Sequence, residues 1–154
     1  MSVLVTGGAG FIGSALVDLL VTGGHEVVVV DDLSTGSEAN LAGAMATGLV
    51  RLEVCDIRRP EVSDLIAEAS PEVVMHLAAQ ADVQASIDDP VNDAEVNVIG
   101  TIRVLDGARR AGTRKVVLAT SGGTLYGAPD PSRLPYTEAE PHAPMSPYGL
   151  SKKA

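Results

Sequence analysis

Tyr148 and Lys152 stand four residues apart in Ser146-Pro-Tyr-Gly-Leu-Ser-Lys152, a spacing that puts a phenol and an ammonium on one face of a helix. Ser146 reads as the N-cap and Pro147 as the first helical residue, so the phenol falls in the first turn. A phenol takes a proton from a hydroxyl at neutral pH only where positive charge favours the phenolate. An ammonium ~4 Å away, at an effective dielectric of about 20, supplies about 4 kcal/mol at best. The amino end of a helix adds about 0.3–1 kcal/mol. The pair is therefore a plausible general base, although Y-x-x-x-K also arises by chance and carries weight only in context.

That context is the opening stretch Val3-Leu-Val-Thr-Gly-Gly-Ala-Gly-Phe-Ile-Gly13, an apolar run, a glycine cluster and the start of a helix. Gly8, Gly10 and Gly13 fit G-x-G-x-x-G, and Gly7, Gly10 and Gly13 fit the wider G-x-x-G-x-x-G. Glycines suit a tight turn, an approach of backbone amides to a diphosphate and close helix-on-strand packing. Many such turns bind nothing, so the neighbours decide. Phe11, Ile12, Ala15, Leu16, Leu19 and Leu20 predict an apolar helical stripe, stopped by Gly23-Gly24, and Val27-Val-Val-Val30 predicts a strand ending in Asp31-Asp32. This is a βαβ unit with an acid at the tip of its second strand. Such an acid, about 20 residues past the glycines, accepts from a ribose 2′-hydroxyl and repels a 2′-phosphate, which favours NAD over NADP.

The elements that must position these groups fit one domain with one core over 154 residues. With 45% hydrophobic and 20% charged residues the chain is neither disordered nor fibrous. Its net charge of −9 argues against nucleic acid or an anionic membrane as a partner. The single cysteine, Cys55, allows no intrachain disulfide and reads as small apolar filler, consistent with a reducing cytoplasm. The amino terminus shows no signal-peptide pattern, and no run of 18 apolar residues occurs.

Along the chain, Leu33-Ser-Thr-Gly36 is either a ribose-contacting turn or a solvent loop. Residues 49–54 alternate, with Val50, Leu52 and Val54 opposite Arg51 and Glu53, which predicts an edge strand. The other strand candidates, 3–6, 27–30, 73–75 and 116–120, are nearly uninterrupted apolar runs, and together they predict a doubly wound parallel sheet of order 3-2-1-4-5, a Rossmann fold. Asp56-Ile57 could hold an adenine, and Asp56 could also, or instead, simply cap a helix beginning near Pro60. His76-Leu-Ala-Ala-Gln80 ends the fourth strand with small residues, and His76 reads as structural, with no metal set or nucleophile beside it. Asp89-Pro90 predicts the start of a long helix to about Gly112 that carries Asn97, facing solvent or reaching a cofactor. Pro129, Pro131, Pro135, Pro141, Pro144 and Pro147 predict a rigid irregular loop, of the kind that carries function.

These motifs together resemble the extended short-chain dehydrogenase/reductase family, and most closely its nucleotide-sugar epimerases of the UDP-glucose 4-epimerase type. The resemblance covers essentially the whole chain and rests on Thr6-Gly-Gly-Ala-Gly-Phe-Ile-Gly13, Asp31-Asp-Leu-Ser-Thr-Gly36, Asp56-Ile57, His76-Leu-Ala-Ala-Gln80, Asn97-Val-Ile-Gly-Thr101, Tyr126-Gly127, Tyr136-Thr-Glu138 and Tyr148-Gly-Leu-Ser-Lys152. It implies reversible oxidation of a UDP-hexose at C4, with NAD as cofactor and Tyr148 as the proton acceptor. Lys152 would hold the nicotinamide ribose. It further implies pyrophosphate contacts at Gly7, Gly10, Phe11, Ile12 and Gly13, a ribose loop of Asp31, Asp32, Leu33, Ser34, Thr35 and Gly36, and an adenine site at Asp56 and Ile57. Leu77, Ala78, Ala79, Gln80 and Asn97 complete the implied cofactor contacts, and a homodimer is implied as well.

Two departures stand out. Gly122 occupies the place where many members carry a catalytic serine or threonine. If the segment is extended, Thr124 points to the same side as position 122 and is preferred over Ser121. Family members also continue into a sixth strand and a substrate domain, so this chain is expected to be an amino-terminal fragment that cannot close around a sugar nucleotide. Gly122, Gly123 and Thr124 replace the acids that 4,6-dehydratases of the family carry there. Epimerases of UDP-glucuronate or an N-acetylhexosamine, a related reductase, and a non-catalytic NAD-binding module remain as alternatives.

Overall fold

β1 (Ser2–Thr6) carries the aliphatic run Val3-Leu4-Val5 and lies at the centre of five parallel strands, where both faces are covered and an uninterrupted apolar run is stable. The computed structural model describes residues 1–128, 130, 132 and 134–154. Pro129 and Pro131 of the predicted proline-rich loop lie outside the described residues. β2 (Glu26–Asp31), β3 (Val50–Val54), β4 (Val73–His76) and β5 (Lys115–Leu118) complete the sheet in the order β3-β2-β1-β4-β5, as the sequence predicts. β1 pairs in register with β2 from Ser2↔Glu26 to Thr6↔Val30, and with β4 from Val3↔Val73 to Thr6↔His76.

The alternating strand, β3, is at one edge, and Val54 at its tip is 64% exposed. β5 is the other edge among the described residues; its Leu118 is 49% exposed, although its sequence is as apolar as that of the inner strands. Around the strands lie α1 (Phe11–Thr22), a 3-10 turn (Glu38–Leu41), α2 (Ala42–Met45), α3 (Glu61–Ala69), α4 (Val83–Asp88), α5 (Pro90–Ala94), a π-helical stretch (Glu95–Gly100), α6 (Thr101–Ala111), α7 (Gly122–Leu125) and α8 (Pro147–Lys153). No helix is long and apolar enough to cross a membrane among the described residues.

The contacts group the chain into two compact units. The first, Met1–Ala79 with Gly100–Ala119, contains the sheet with α1, α3 and α6. One of its clusters joins Val3, Val5, Ala9, Val17, Val27, Val29, Leu41 and Ala44 beneath α1. The predicted stripe of α1 is rotated in the structure: Gly13 and Val17 are buried, whereas Phe11, Ile12 and Leu19 are 93%, 70% and 69% exposed. Gly13 must face the sheet because only a residue without Cβ fits there, and that fixes which side of the helix turns outward. On the other face α3 and α6 pack together through Gly107, where a Cβ would come within 2.8 Å of Ile66 Cβ and 2.9 Å of the Ser63 carbonyl.

His76 links three elements through buried polar contacts. It is 2% exposed, its Nδ1 lies 2.6 Å from Thr6 Oγ1 and its Nε2 2.9 Å from Thr101 Oγ1, and Thr6 Oγ1 also accepts from the Ala78 N–H at 3.2 Å. This chain of polar groups fixes where β4 hands over to the loop beside β1. Thr6→Val would leave the Ala78 amide and one ring nitrogen without Thr6 as a partner. We expect the unfolding free energy in urea to fall by about 1–3 kcal/mol, and a midpoint equal to that of the parent would contradict the relay.

The second unit, Gln80–Ile99 with Thr120–Ala154, contains α4, α5, α7 and α8. Both of its predicted caps form: Asp89 Oδ1 accepts from the Asn92 amide (3.0 Å) ahead of Pro90, and Ser146 Oγ accepts from the Gly149 amide (3.1 Å) ahead of Pro147. The long helix predicted from Asp89 to Gly112 is interrupted by the π-helical stretch that contains Asn97. Such stretches recur at functional sites.

Candidate functional site

In the first unit the glycine cluster forms a cradle whose members have different reasons for being glycine. Gly7 has φ +69°, and a Cβ there would meet Ala78 N at 2.7 Å and Leu77 C at 2.9 Å, because the ends of β1 and β4 converge. At Gly13 a Cβ would run into the Gly7 carbonyl oxygen and lie 2.7 Å from Gly8 Cα, so the absence of a side chain seats α1 on the loop. At Gly10, by contrast, the nearest atom to an added Cβ is the Gly7 carbonyl oxygen at 3.4 Å, ordinary contact, and the rest of that side is open. Gly10 is also the N-cap of the twelve-residue α1 and provides no side-chain cap, so the helix presents its first N–H groups and positive dipole end without a side-chain acceptor. An open, cationic, backbone-lined concavity fits a diphosphate. Phe11 and Ile12 stand exposed on its rim.

Asp31 at the tip of β2 is only 7% exposed. One carboxylate oxygen accepts from the Ala9 amide (2.9 Å) and the other from the Leu33 amide (2.9 Å), so Asp31 ties the glycine loop to the following loop. Each oxygen keeps a further lone pair for a hydroxyl donor. Leu33 is held at φ +59°, a costly conformation for a non-glycine residue that Asp31 helps to enforce. Asp32 is exposed and accepts from Ser34 N (3.0 Å) and Ser34 Oγ (2.6 Å). Gly36 closes the loop where a Cβ would sit 2.9 Å from Ala9 C and 3.0 Å from Asp31 Oδ1, and Thr35 before it is exposed.

Asp56 does not cap α3, whose N-cap Pro60 has no side-chain hydrogen bond. Its Oδ1 accepts from the Arg58 amide (2.8 Å) and its Oδ2 from Arg58 Nε (2.8 Å), and the guanidinium holds the carboxyl below its ordinary range. Ile57 is 5% exposed and packs on Gly100, where a Cβ would come 2.7 Å from Ile57 Cδ1. Burial, aided by Glu61, pushes the Cys55 thiol up, in keeping with a filler role.

The second unit contains the pair. Tyr148 and Lys152 lie on one face of α8, with Lys152 Nζ 6.0 Å from the centre of the phenol ring. Tyr148 is 9% exposed, and its amide donates to the buried Ser86 Oγ (3.1 Å), so α4 anchors the first turn of α8. Thr120 Oγ1 donates to the Lys152 carbonyl (3.2 Å). Burial pushes the Lys152 ammonium down, and the Asp93 carboxylate opposes this. Gly149 lets α8 rest on α7, since a Cβ would come 2.8 Å from the Thr124 carbonyl.

Thr124 does not lie in an extended segment. Residues 122–125 form a helical turn, α7, so Thr124 is related to Ser121 by a turn and not to position 122 by alternation, and its hydroxyl lies 3.5 Å from the Ser121 carbonyl. Two glycines leave the backbone free to coil once Ser121 takes the N-cap position. Thr124 and Ser121 are thus both hydroxyls of one turn.

Gln80 and Asn97 are brought together tightly. Asn97 Oδ1 accepts from the Gln80 amide (3.0 Å), and its Nδ2, with two hydrogens, lies within hydrogen-bonding distance of the Gln80 carbonyl (2.9 Å), Asp93 Oδ1 (3.0 Å) and Ser151 Oγ (3.1 Å). The side chain pairs with the backbone as a strand would. Asp93 and Ser86 were not singled out in the sequence, although Asp93 precedes Asn97 by one helical turn.

A parallel sheet with a glycine cradle after its first strand, together with a Tyr-x-x-x-Lys helix, defines a dinucleotide-binding α/β protein of the short-chain dehydrogenase/reductase kind. Residues 3–154 match the NAD dependent epimerase/dehydratase family, and the chain belongs to it. It is 49% identical over 154 residues to the UDP-glucose 4-epimerase of Mycolicibacterium smegmatis, covering 100% of this chain and 49% of that protein. Among solved structures, the UDP-glucose 4-epimerase of Thermotoga maritima with UDP-glucose matches with a TM-score of 0.91 and 39% identity, over 99% of this chain and 48% of that one. The Thermus thermophilus UDP-glucose 4-epimerase in complex with NAD matches with a TM-score of 0.89 and 44% identity, over 99% and 47%. The chain spans about half the length of the curated relatives it matches.

Proposed function

We propose that this chain supplies the NAD site and the proton-transfer pair of a nucleotide-sugar 4-epimerase of the UDP-glucose/UDP-galactose type. The observation that carries the reading is the Gly10 cradle, open where a side chain would stand and backed by the uncapped end of α1. In this reading Gly7, Gly10, Phe11, Ile12 and Gly13 surround the diphosphate. Asp31 to Gly36 receive the ribose, Asp56 and Ile57 border the adenine, and Leu77 to Gln80 with Asn97 make the remaining cofactor contacts.

Bound there, NAD would supply a hydride acceptor for the sugar C4 and a donor to return it. Tyr148 takes the proton of the C4 hydroxyl and gives it back once the 4-keto sugar has turned over. Lys152 supplies positive charge beside the phenol and a donor for the ribose, and a hydroxyl of the α7 turn, Thr124 or Ser121, orients the sugar oxygen. Dehydration is disfavoured because α7, Gly-Gly-Thr-Leu, carries no acid or base to move protons at neighbouring carbons. A homodimer in the cytoplasm belongs to the same reading, supported by the exposed Ile102 (55%) and Leu105 (45%) on α6.

The test is titration calorimetry of the chain with NAD and NADP, followed by turnover of UDP-galactose by a longer protein that contains the chain. NAD is expected to bind at least about tenfold more tightly than NADP, a difference of about 1.4 kcal/mol, because Asp31 and Asp32 repel a 2′-phosphate. Equal binding, or a preference for NADP, would overturn the assignment.

A further inference from the structure

Asp93 in α5 is 1% exposed, and a carboxylate so deep must be compensated by donors or by a cation. Two donors converge on its Oδ1: Gln80 Nε2 at 3.1 Å and Asn97 Nδ2 at 3.0 Å. The same Asn97 amide reaches α8 at Ser151 Oγ (3.1 Å), the residue next to Lys152, and Ser151 Oγ in turn donates to the Tyr148 carbonyl (3.0 Å). Both amides that the sequence offers as cofactor contacts therefore converge on one buried acid, within bonding reach of the helix that bears the proton-transfer pair.

We propose that Asp93 is a positioning residue: its carboxylate locks the Gln80 and Asn97 amides against α8 and supplies the counter-charge for the Lys152 ammonium beside Tyr148. This rests on the reading of Tyr148 and Lys152 as the proton-transfer pair, but its consequences are visible without turnover. Burial pushes the Lys152 ammonium down and the Asp93 carboxylate opposes it, so removing that counter-charge lowers the Lys152 pKa further. Of the helices packed against α8, α7 carries no titratable side chain. α4 carries only Asp88, exposed and paired with Gln84 (3.0 Å), and α5 carries Asp93. On α8 itself stand Tyr148 and Lys153.

The chain has three lysines, Lys115, Lys152 and Lys153, so their 13Cε resonances can be followed individually against pH by NMR. In Asp93→Asn the Lys152 midpoint is expected to fall by about one pH unit, with Lys115 and Lys153 unmoved, and Asp93→Glu is expected to recover most of the shift. Should Asp93→Asn fail to fold, the parent answers the question. Its Asp93 13Cγ resonance is expected to show an inflection at the pH where Lys152 loses its proton. A folded Asp93→Asn with an unmoved Lys152 midpoint, or a parent Asp93 resonance without that inflection, overturns the proposal. Either result can coexist with NAD binding and with turnover that depends on Tyr148, so it would leave the proposed function standing; loss of those two would sink the function instead.

Discussion

Gly10→Ala is expected to weaken NAD binding about a hundredfold, roughly 2.7 kcal/mol, while the melting temperature of the chain stays within a few degrees of the parent. The two halves of this result have separate causes. Gly10 has φ −78° and ψ −179°, which any residue adopts, and an added Cβ meets only the Gly7 carbonyl oxygen at 3.4 Å. Alanine is a poorer N-cap than glycine by some tenths of a kcal/mol, but it loses less backbone entropy on folding, about 0.4–1 kcal/mol, and these nearly cancel. The methyl group instead fills the space from which a diphosphate would approach the amides of α1. Gly13→Ala is the informative contrast. There the Cβ strikes the Gly7 carbonyl and crowds Gly8 Cα, so the loop must rebuild or α1 must lift, and both folding and binding suffer. Calorimetry with thermal melts on the two variants separates a ligand surface from a packing contact. A Gly10→Ala chain that binds NAD as the parent does would mean that the cradle is only a tight turn.

That distinction marks what the sequence could and could not convey. The strand order was readable because burial leaves a trace in composition: β3 alternates at an edge, whereas β1 and β2 do not. The caps at Asp89-Pro90 and Ser146-Pro147 were readable because side-chain capping is local chemistry. The rotation of α1 was not, since Phe11, Ile12 and Leu19 fit an apolar stripe as well as Val17 does; only the tertiary demand that Gly13 sit on Gly7 chooses between them. Nor was the π-helical stretch at Asn97, which depends on a side chain pairing with the backbone of Gln80 seventeen residues away. Thr124 was misjudged in geometry because two glycines have no secondary preference strong enough to reveal a turn. Asp93 looked like one more helical acid among the chain's 20 acidic residues, and burial alone sets it apart.

In a longer protein that contains this chain, replacing Tyr148 with Phe is expected to lower kcat for UDP-galactose by about 10²–10⁴, the usual contribution of a positioned acid–base group, with the NAD dissociation constant unchanged within about twofold. The substitution removes one oxygen and little else. The backbone of residue 148 is held from outside the side chain, by Ser86 Oγ on its amide, and the cap of α8 comes from Ser146. The ring stays in its 9% exposed place, so the melting temperature should report an intact fold. Lys152 still stands 6.0 Å from the centre of the ring, yet it has no phenolate to favour and cannot itself replace the lost proton acceptor, because an ammonium has no lone pair. If the residual rate rises with pH in parallel with hydroxide, solvent has taken over the proton. A chain that only senses NAD predicts the opposite pattern, no turnover in the parent and no effect of the substitution on binding. A Tyr148→Phe protein with parental kcat would show instead that another group accepts the proton, and the hydroxyls of the α7 turn would be the next to replace.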